Sequence, residues 1–61
     1  MKTKVYIIEN TKENLKVVEE IKNRIPCWVR DTYTADGFIE VEIKCREADV
    51  AFVERMLADV V

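Results

Sequence analysis

Tyr33-Thr34-Ala35-Asp36-Gly37-Phe38-Ile39 is the stretch that decides the fold. It holds the one glycine of the chain and joins two segments that read as strands. A three-residue hairpin loop takes two right-handed positions and then a left-handed one, which glycine fills without a steric penalty. Ala35-Asp36-Gly37 fits that loop, and the loop length fixes the register of the strands on either side.

With this loop Thr34 pairs with Phe38 and Tyr33 opposes Ile39. Val29 then opposes Ile43, and Cys27 opposes Cys45. On the other face Arg30 meets Glu42 and Trp28 meets Lys44, a charge pair and a cation–π pair. A two-residue loop at Asp36-Gly37 would set Arg30 against Ile43 and Trp28 against Cys45. The three-residue register is the chemically consistent one. The strand after the loop alternates cleanly, with Ile39, Val41, Ile43 and Cys45 inward and Phe38, Glu40, Glu42 and Lys44 outward.

Upstream of the hairpin, Lys4 to Glu9 reads as a strand through Val5, Tyr6, Ile7 and Ile8, apolar on both faces. Asn10 is placed to cap a helix, with Glu13 three residues on. From Thr11 to Ile25 the residues Leu15, Val17, Val18, Ile21 and Ile25 form one helical stripe. Lys16/Glu20 and Glu20/Arg24 are spaced for ion pairs on the opposite side. Pro26 ends the helix at Ile25. Arg46 to Val61 reads as a last helix, with Val50, Val53, Met56, Leu57, Val60 and Val61 buried and Glu47 and Asp49 suited to its N-terminus.

The order strand, helix, strand, strand, helix predicts an α+β fold. A right-handed crossover followed by the hairpin puts strand three between the other two, order 1-3-2. The result is a βαββα two-layer sandwich, a three-stranded antiparallel sheet with two helices on one face. It resembles a ferredoxin-like unit without its last strand.

The 61 residues make a single domain. Such a chain buries only about 60% of the surface exposed on unfolding. Its core contributes roughly 3–5 kcal/mol at best, so dimerisation or a disulfide would help. Net charge is −2, which argues against a generally basic nucleic-acid binder. No apolar run reaches the length of a membrane span, and no signal peptide is expected. Two cysteines are too few for a secreted disulfide scaffold. A cytoplasmic protein with reduced thiols and no membrane association is expected.

Histidine and serine are both absent from the chain. A cysteine or threonine nucleophile therefore has no histidine base. Neither a zinc pattern nor a glycine-rich phosphate loop is present, and no enzyme activity and no cofactor is expected. Cys27 and Cys45 read either as reduced core thiols or as a cross-strand redox pair. Asp31, on the inward face opposite Val41, reads either as an edge residue reaching water or as a buried functional carboxylate.

The sheet face away from the helices is the leading candidate for binding. It carries Trp28, Arg30, Thr32, Thr34, Phe38, Glu40, Glu42 and Lys44. With Val5 and Ile7 taken as inward, Tyr6, Ile8, Lys2 and Lys4 join it. Such an aromatic and aliphatic patch suits self-association as a homodimer, through the face or a strand edge, or docking of a protein partner. The alternative is single-stranded nucleic acid stacked on Trp28, Phe38 and Tyr6, with Lys2, Lys4, Arg30 and Lys44 on phosphates. A third surface is the outward side of the last helix, with Glu47, Phe52, Glu54 and Asp59, which suits either water or a basic partner protein.

A helix ending in Asn23-Arg24-Ile25-Pro26 is followed by Val29-Arg30 in a strand. Phe38-Ile39-Glu40-Val41 follows a turn, and Ala48-Asp49 opens a helix that ends near Met56-Leu57. This order resembles the DinI family, small proteins that act on the RecA recombinase. The resemblance implies a non-enzymatic regulator that engages a recombinase through acids of the last helix. In this chain Glu47, Asp49, Glu54 and Asp59 are the acids that could serve.

Overall fold

The computed structural model describes residues 1–34 and 36–60. Three strands, β1 (Lys2–Glu9), β2 (Cys27–Tyr33) and β3 (Phe38–Cys45), form one antiparallel sheet of order β1-β3-β2. Helix α1 (Lys12–Arg24) links β1 to β2, and helix α2 (Val50–Leu57) follows β3 through a 3-10 turn, Glu47–Asp49. The architecture is the expected βαββα α+β fold.

The hairpin register is the one the three-residue loop dictates. Tyr33 pairs with Ile39, Val29 with Ile43, Arg30 with Glu42, Trp28 with Lys44 and Cys27 with Cys45. Gly37 has φ +80°, the left-handed conformation for which glycine is needed. The Thr34 amide donates to the Phe38 carbonyl at 2.9 Å and closes the loop. Ala35, assigned to the same loop, lies outside the described residues.

Ile39, Val41, Ile43 and Cys45 of β3 are fully buried, with Val18 and Ile21 of α1, Val53 and Leu57 of α2, and Ile8 of β1. All the core therefore lies on one side of the sheet, under both helices. Val50, Met56 and Val60 pack on its margin. Val61, expected in the same stripe, lies outside the described residues.

Three local readings are corrected. The cap of α1 is Thr11, whose hydroxyl accepts from the Asn14 amide at 3.2 Å, and not Asn10. The Asn10 amide instead donates to the Gly37 carbonyl at 2.9 Å, so the chain stays extended one residue longer. The last helix does not begin at Arg46. The Arg46 Nε donates to Asp49 Oδ2 at 2.8 Å across the tighter 3-10 turn, and α-helix starts at Val50. On α1, Glu20 pairs with Arg24 at 2.8 Å, and no ion pair joins it to Lys16.

A fourth correction concerns the phase of β1. Val5 and Ile7 were expected inward. They are 55% and 58% exposed, whereas Ile8 is 1% exposed. Ile8 stands beside Ile39, Tyr6 beside Val41 and Lys4 beside Ile43, all on the helix side. Lys4 is accommodated there because its Nζ bonds Glu54 Oε2 of α2 at 3.0 Å.

Candidate functional site

The two ladders align the residues of the open face in rows across the strands. Trp28, Lys44 and Thr3 form one row, and Arg30, Glu42 and Val5 the next. Thr32, Glu40 and Ile7 follow, and Phe38 stands beside Glu9 at the hairpin end. Among the described residues no helix covers these side chains. Trp28 and Phe38 remain 46% and 42% exposed beside the more open Val5 and Ile7. The patch is apolar along β1, at the Trp28 corner and at the Phe38 end of the middle strand, with charge between.

Of the residues proposed for this face, Trp28, Arg30, Phe38 and Lys44 lie on it. Tyr6 and Ile8 do not: with Lys2 and Lys4 they belong to the helix side of β1. Val5 and Ile7 were missed. Alternation leaves both phases of Val5-Tyr6-Ile7-Ile8 apolar, so the strand pattern alone does not choose between them. In the fold Lys4 finds its partner on α2, far along the chain.

Lys44 Nζ lies 5.0 Å from the centroid of the Trp28 ring, the expected cation–π contact. Arg30 and Glu42 are register partners but do not close an ion pair.

Both outer strands are edges, and each is blunted. Lys4 of β1 and Asp31 of β2 are charged residues at helix-side register positions. Such inward charges hinder addition of a further strand. Asp31 is exposed, in accord with an edge residue reaching water.

On the last helix Glu54 is tied to Lys4, and in the 3-10 turn before it Asp49 is tied to Arg46. Glu47 and Asp59 are exposed and take part in no ion pair among the described residues. Phe52 is not an outward residue: it is half-buried and packs against the core. Between β1 and α2 lies a groove of ≈ 460 Å³ lined by Lys2, Thr3, Lys4, Glu47, Val50, Ala51 and Glu54. Its lysines and acids offset one another.

Below the sheet, the Tyr6 hydroxyl is buried without a hydrogen-bond partner among the described residues. Burial pushes its ionisation upward. Cys27 is half-buried and Cys45 buried, both as free thiols. Burial, and then the neighbouring Cys45, push the Cys27 thiol up. Among the described residues no group of three or more histidine, cysteine or acidic side chains could hold a metal. No helix of the described residues is long and apolar enough to cross a membrane.

Fold and site together define a small two-layer α+β domain with one uncovered, partly apolar sheet face. Compared with protein-family models, curated proteins and solved structures, the chain has no match in any of the three.

Proposed function

We propose that this chain is a non-enzymatic interaction module whose open sheet face pairs with the same face of a second copy. The observation that carries this reading is the exposure of Val5, Ile7, Trp28 and Phe38 together on one face. Large apolar side chains gain about 1.5–3 kcal/mol each on full burial. A domain this small gains much from such burial. The inward Lys4 and Asp31 disfavour pairing through an edge, which leaves the face.

The face is also suited to itself. Lys44 lies toward its Trp28 end and Glu40 and Glu9 toward the hairpin end, while Arg30 and Glu42 share a row. A second copy turned end for end sets Val5 and Ile7 against Ile7 and Val5. It also brings Lys44 of each copy toward Glu9 of the other, in the two-fold manner of most homodimers, and sets Glu42 against Glu40 on the middle strand. Regulation of a recombinase in the DinI manner would then fall to the helix side, where Glu47 and Asp59 are exposed acids near α2 in no ion pair among the described residues. The absence of histidine and serine supports a role without catalysis.

Single-stranded nucleic acid is less well served by this face. Tyr6, Lys2 and Lys4 are turned away from it, and Glu40 and Glu42 stand in its middle strand.

Light scattering on a sizing column, across protein concentration and salt, tests the proposal. The expected result is a dimer insensitive to salt, and a monomer for Ile7→Glu. A monomer at every concentration would overturn it. So would a dimer unchanged in Ile7→Glu and in the Trp28→Ala, Phe38→Ala double variant.

A further inference from the structure

We propose that Cys27 and Cys45 are a thiol pair built to close into a reversible cross-strand disulfide, with Cys27 the attacking thiol. This inference is independent of self-association.

The argument begins with the ladder. The Thr34 amide donates to the Phe38 carbonyl, so Thr34 and Phe38 are a hydrogen-bonded pair. Pairs alternate along an antiparallel ladder between hydrogen-bonded and non-hydrogen-bonded. The register runs without a break from Tyr33/Ile39 to Cys27/Cys45. Counting along it makes Trp28/Lys44 hydrogen-bonded and Cys27/Cys45 non-hydrogen-bonded. Non-hydrogen-bonded partners stand closer, with α-carbons about 4.5 Å apart. A disulfide accepts α-carbons roughly 4.4–6.8 Å apart, so the bond needs little backbone movement.

Burial sets the order of events. Cys45 is 0% exposed beneath the helices. Cys27 is only half-buried, at the start of an edge strand. A dissolved oxidant therefore meets Cys27 first, and Cys45 is the thiol that resolves the adduct.

The oxidant is a small-molecule disulfide, RSSR. Cys27 gives up its proton, at a cost that its partial burial raises, and its thiolate attacks one sulfur, releases RS⁻ and forms the mixed disulfide Cys27–S–S–R. Cys45, its proton given up, attacks the Cys27 Sγ, releases the second RS⁻ and forms the Cys27–Cys45 bond. The two protein thiols are oxidised, and the disulfide is reduced to two thiols that take up the two protons. The next ladder row outward is Trp28 and Lys44, on the open face. The new bond therefore lies one ladder row from the Trp28 indole. Trp28, the only tryptophan, reports it.

The test exposes the folded protein to glutathione disulfide, blocks remaining thiols with iodoacetamide and measures intact mass and Trp28 fluorescence. In the wild type the expected product has lost two hydrogens, carries no alkyl group and has an altered Trp28 emission that a dithiol reductant restores. Cys45→Ala should stop at one glutathione adduct on Cys27, and Cys27→Ala should remain unreacted. The wild type alone decides if a variant fails to fold. Two alkylated thiols, a persistent glutathione adduct or chains linked to one another would each overturn the proposal.

Discussion

Lys4 of β1 and Glu54 of α2, distant in the chain, are joined by a 3.0 Å bond from Nζ to Oε2. The bond pins the last helix over the edge strand and lets a lysine stand on the helix side of the sheet. The hydrogen bond to Glu54, and then its charge, hold Lys4 above its ordinary 10.5. A folded value raised above the unfolded one stabilises the fold fully below pH 10.5, and the gain is lost as pH climbs through the folded value. Lys4→Glu should lower the urea midpoint by setting like charges together, and adding Glu54→Lys should recover part of the loss. High salt should shrink both effects. A double variant no better than Lys4→Glu alone would contradict this account.

Tyr6→Phe is expected to stabilise the protein by about 1 kcal/mol, because it removes a buried hydroxyl without a partner among the described residues. The same variant carries a pH signature. Burial raises the Tyr6 ionisation above its ordinary 10.0, so the folded state resists ionising while the unfolded chain does not. That part of the stability is whole below pH 10.0 and declines as pH rises through the folded value. The advantage of Tyr6→Phe should therefore widen on the alkaline side. Urea midpoints of the two proteins at neutral and alkaline pH measure both effects, and a less stable Tyr6→Phe would mean that the hydroxyl has a partner.

Gly37→Ala isolates backbone strain. A Cβ built at Gly37 meets nothing within 4 Å, so no packing clash accompanies the change. The left-handed φ of +80° remains, and an L-residue there costs roughly 1–2 kcal/mol. Asn, which tolerates this conformation better, should cost less than Ala. Equal midpoints for all three residues would show that the loop changes conformation to suit its sequence.

The hairpin was legible because three constraints agree: one glycine, one alternating strand, and cross-strand partners that make chemical sense in only one register. Arg30 against Glu42 and Trp28 against Lys44 required no knowledge of the rest of the fold. The phase of β1 was not legible for the opposite reason. Either phase of Val5-Tyr6-Ile7-Ile8 supplies two apolar residues, and the choice rests on what the helices bring to each face. Glu54 makes Lys4 acceptable inside, and no local pattern reveals Glu54 as its partner. The error carried into the binding surface, exchanging Tyr6 and Ile8 for Val5 and Ile7. The cap of α1 failed for a similar reason. Asn10 and Thr11 are both good caps, and the bond from the Asn10 amide to Gly37 decides between them.

The same two neighbours give the sharpest check on the sheet. Ile8 is 1% exposed in the core and Ile7 is 58% exposed on the open face. Ile8→Ala should cost about 2–5 kcal/mol through lost burial and the cavity left behind. A domain of this size holds only roughly 3–5 kcal/mol, so that variant should be largely unfolded at room temperature. Ile7→Ala, measured at dilutions where the protein is monomeric, should stay within about 0.5 kcal/mol of wild type. At higher concentration Ile7→Ala should weaken self-association, because its side chain lies in the proposed interface. Urea unfolding followed by Trp28 fluorescence across protein concentrations separates the two effects. Equal losses in the two variants, or a larger one in Ile7→Ala at high dilution, would reverse the phase of β1 and with it the composition of the open face.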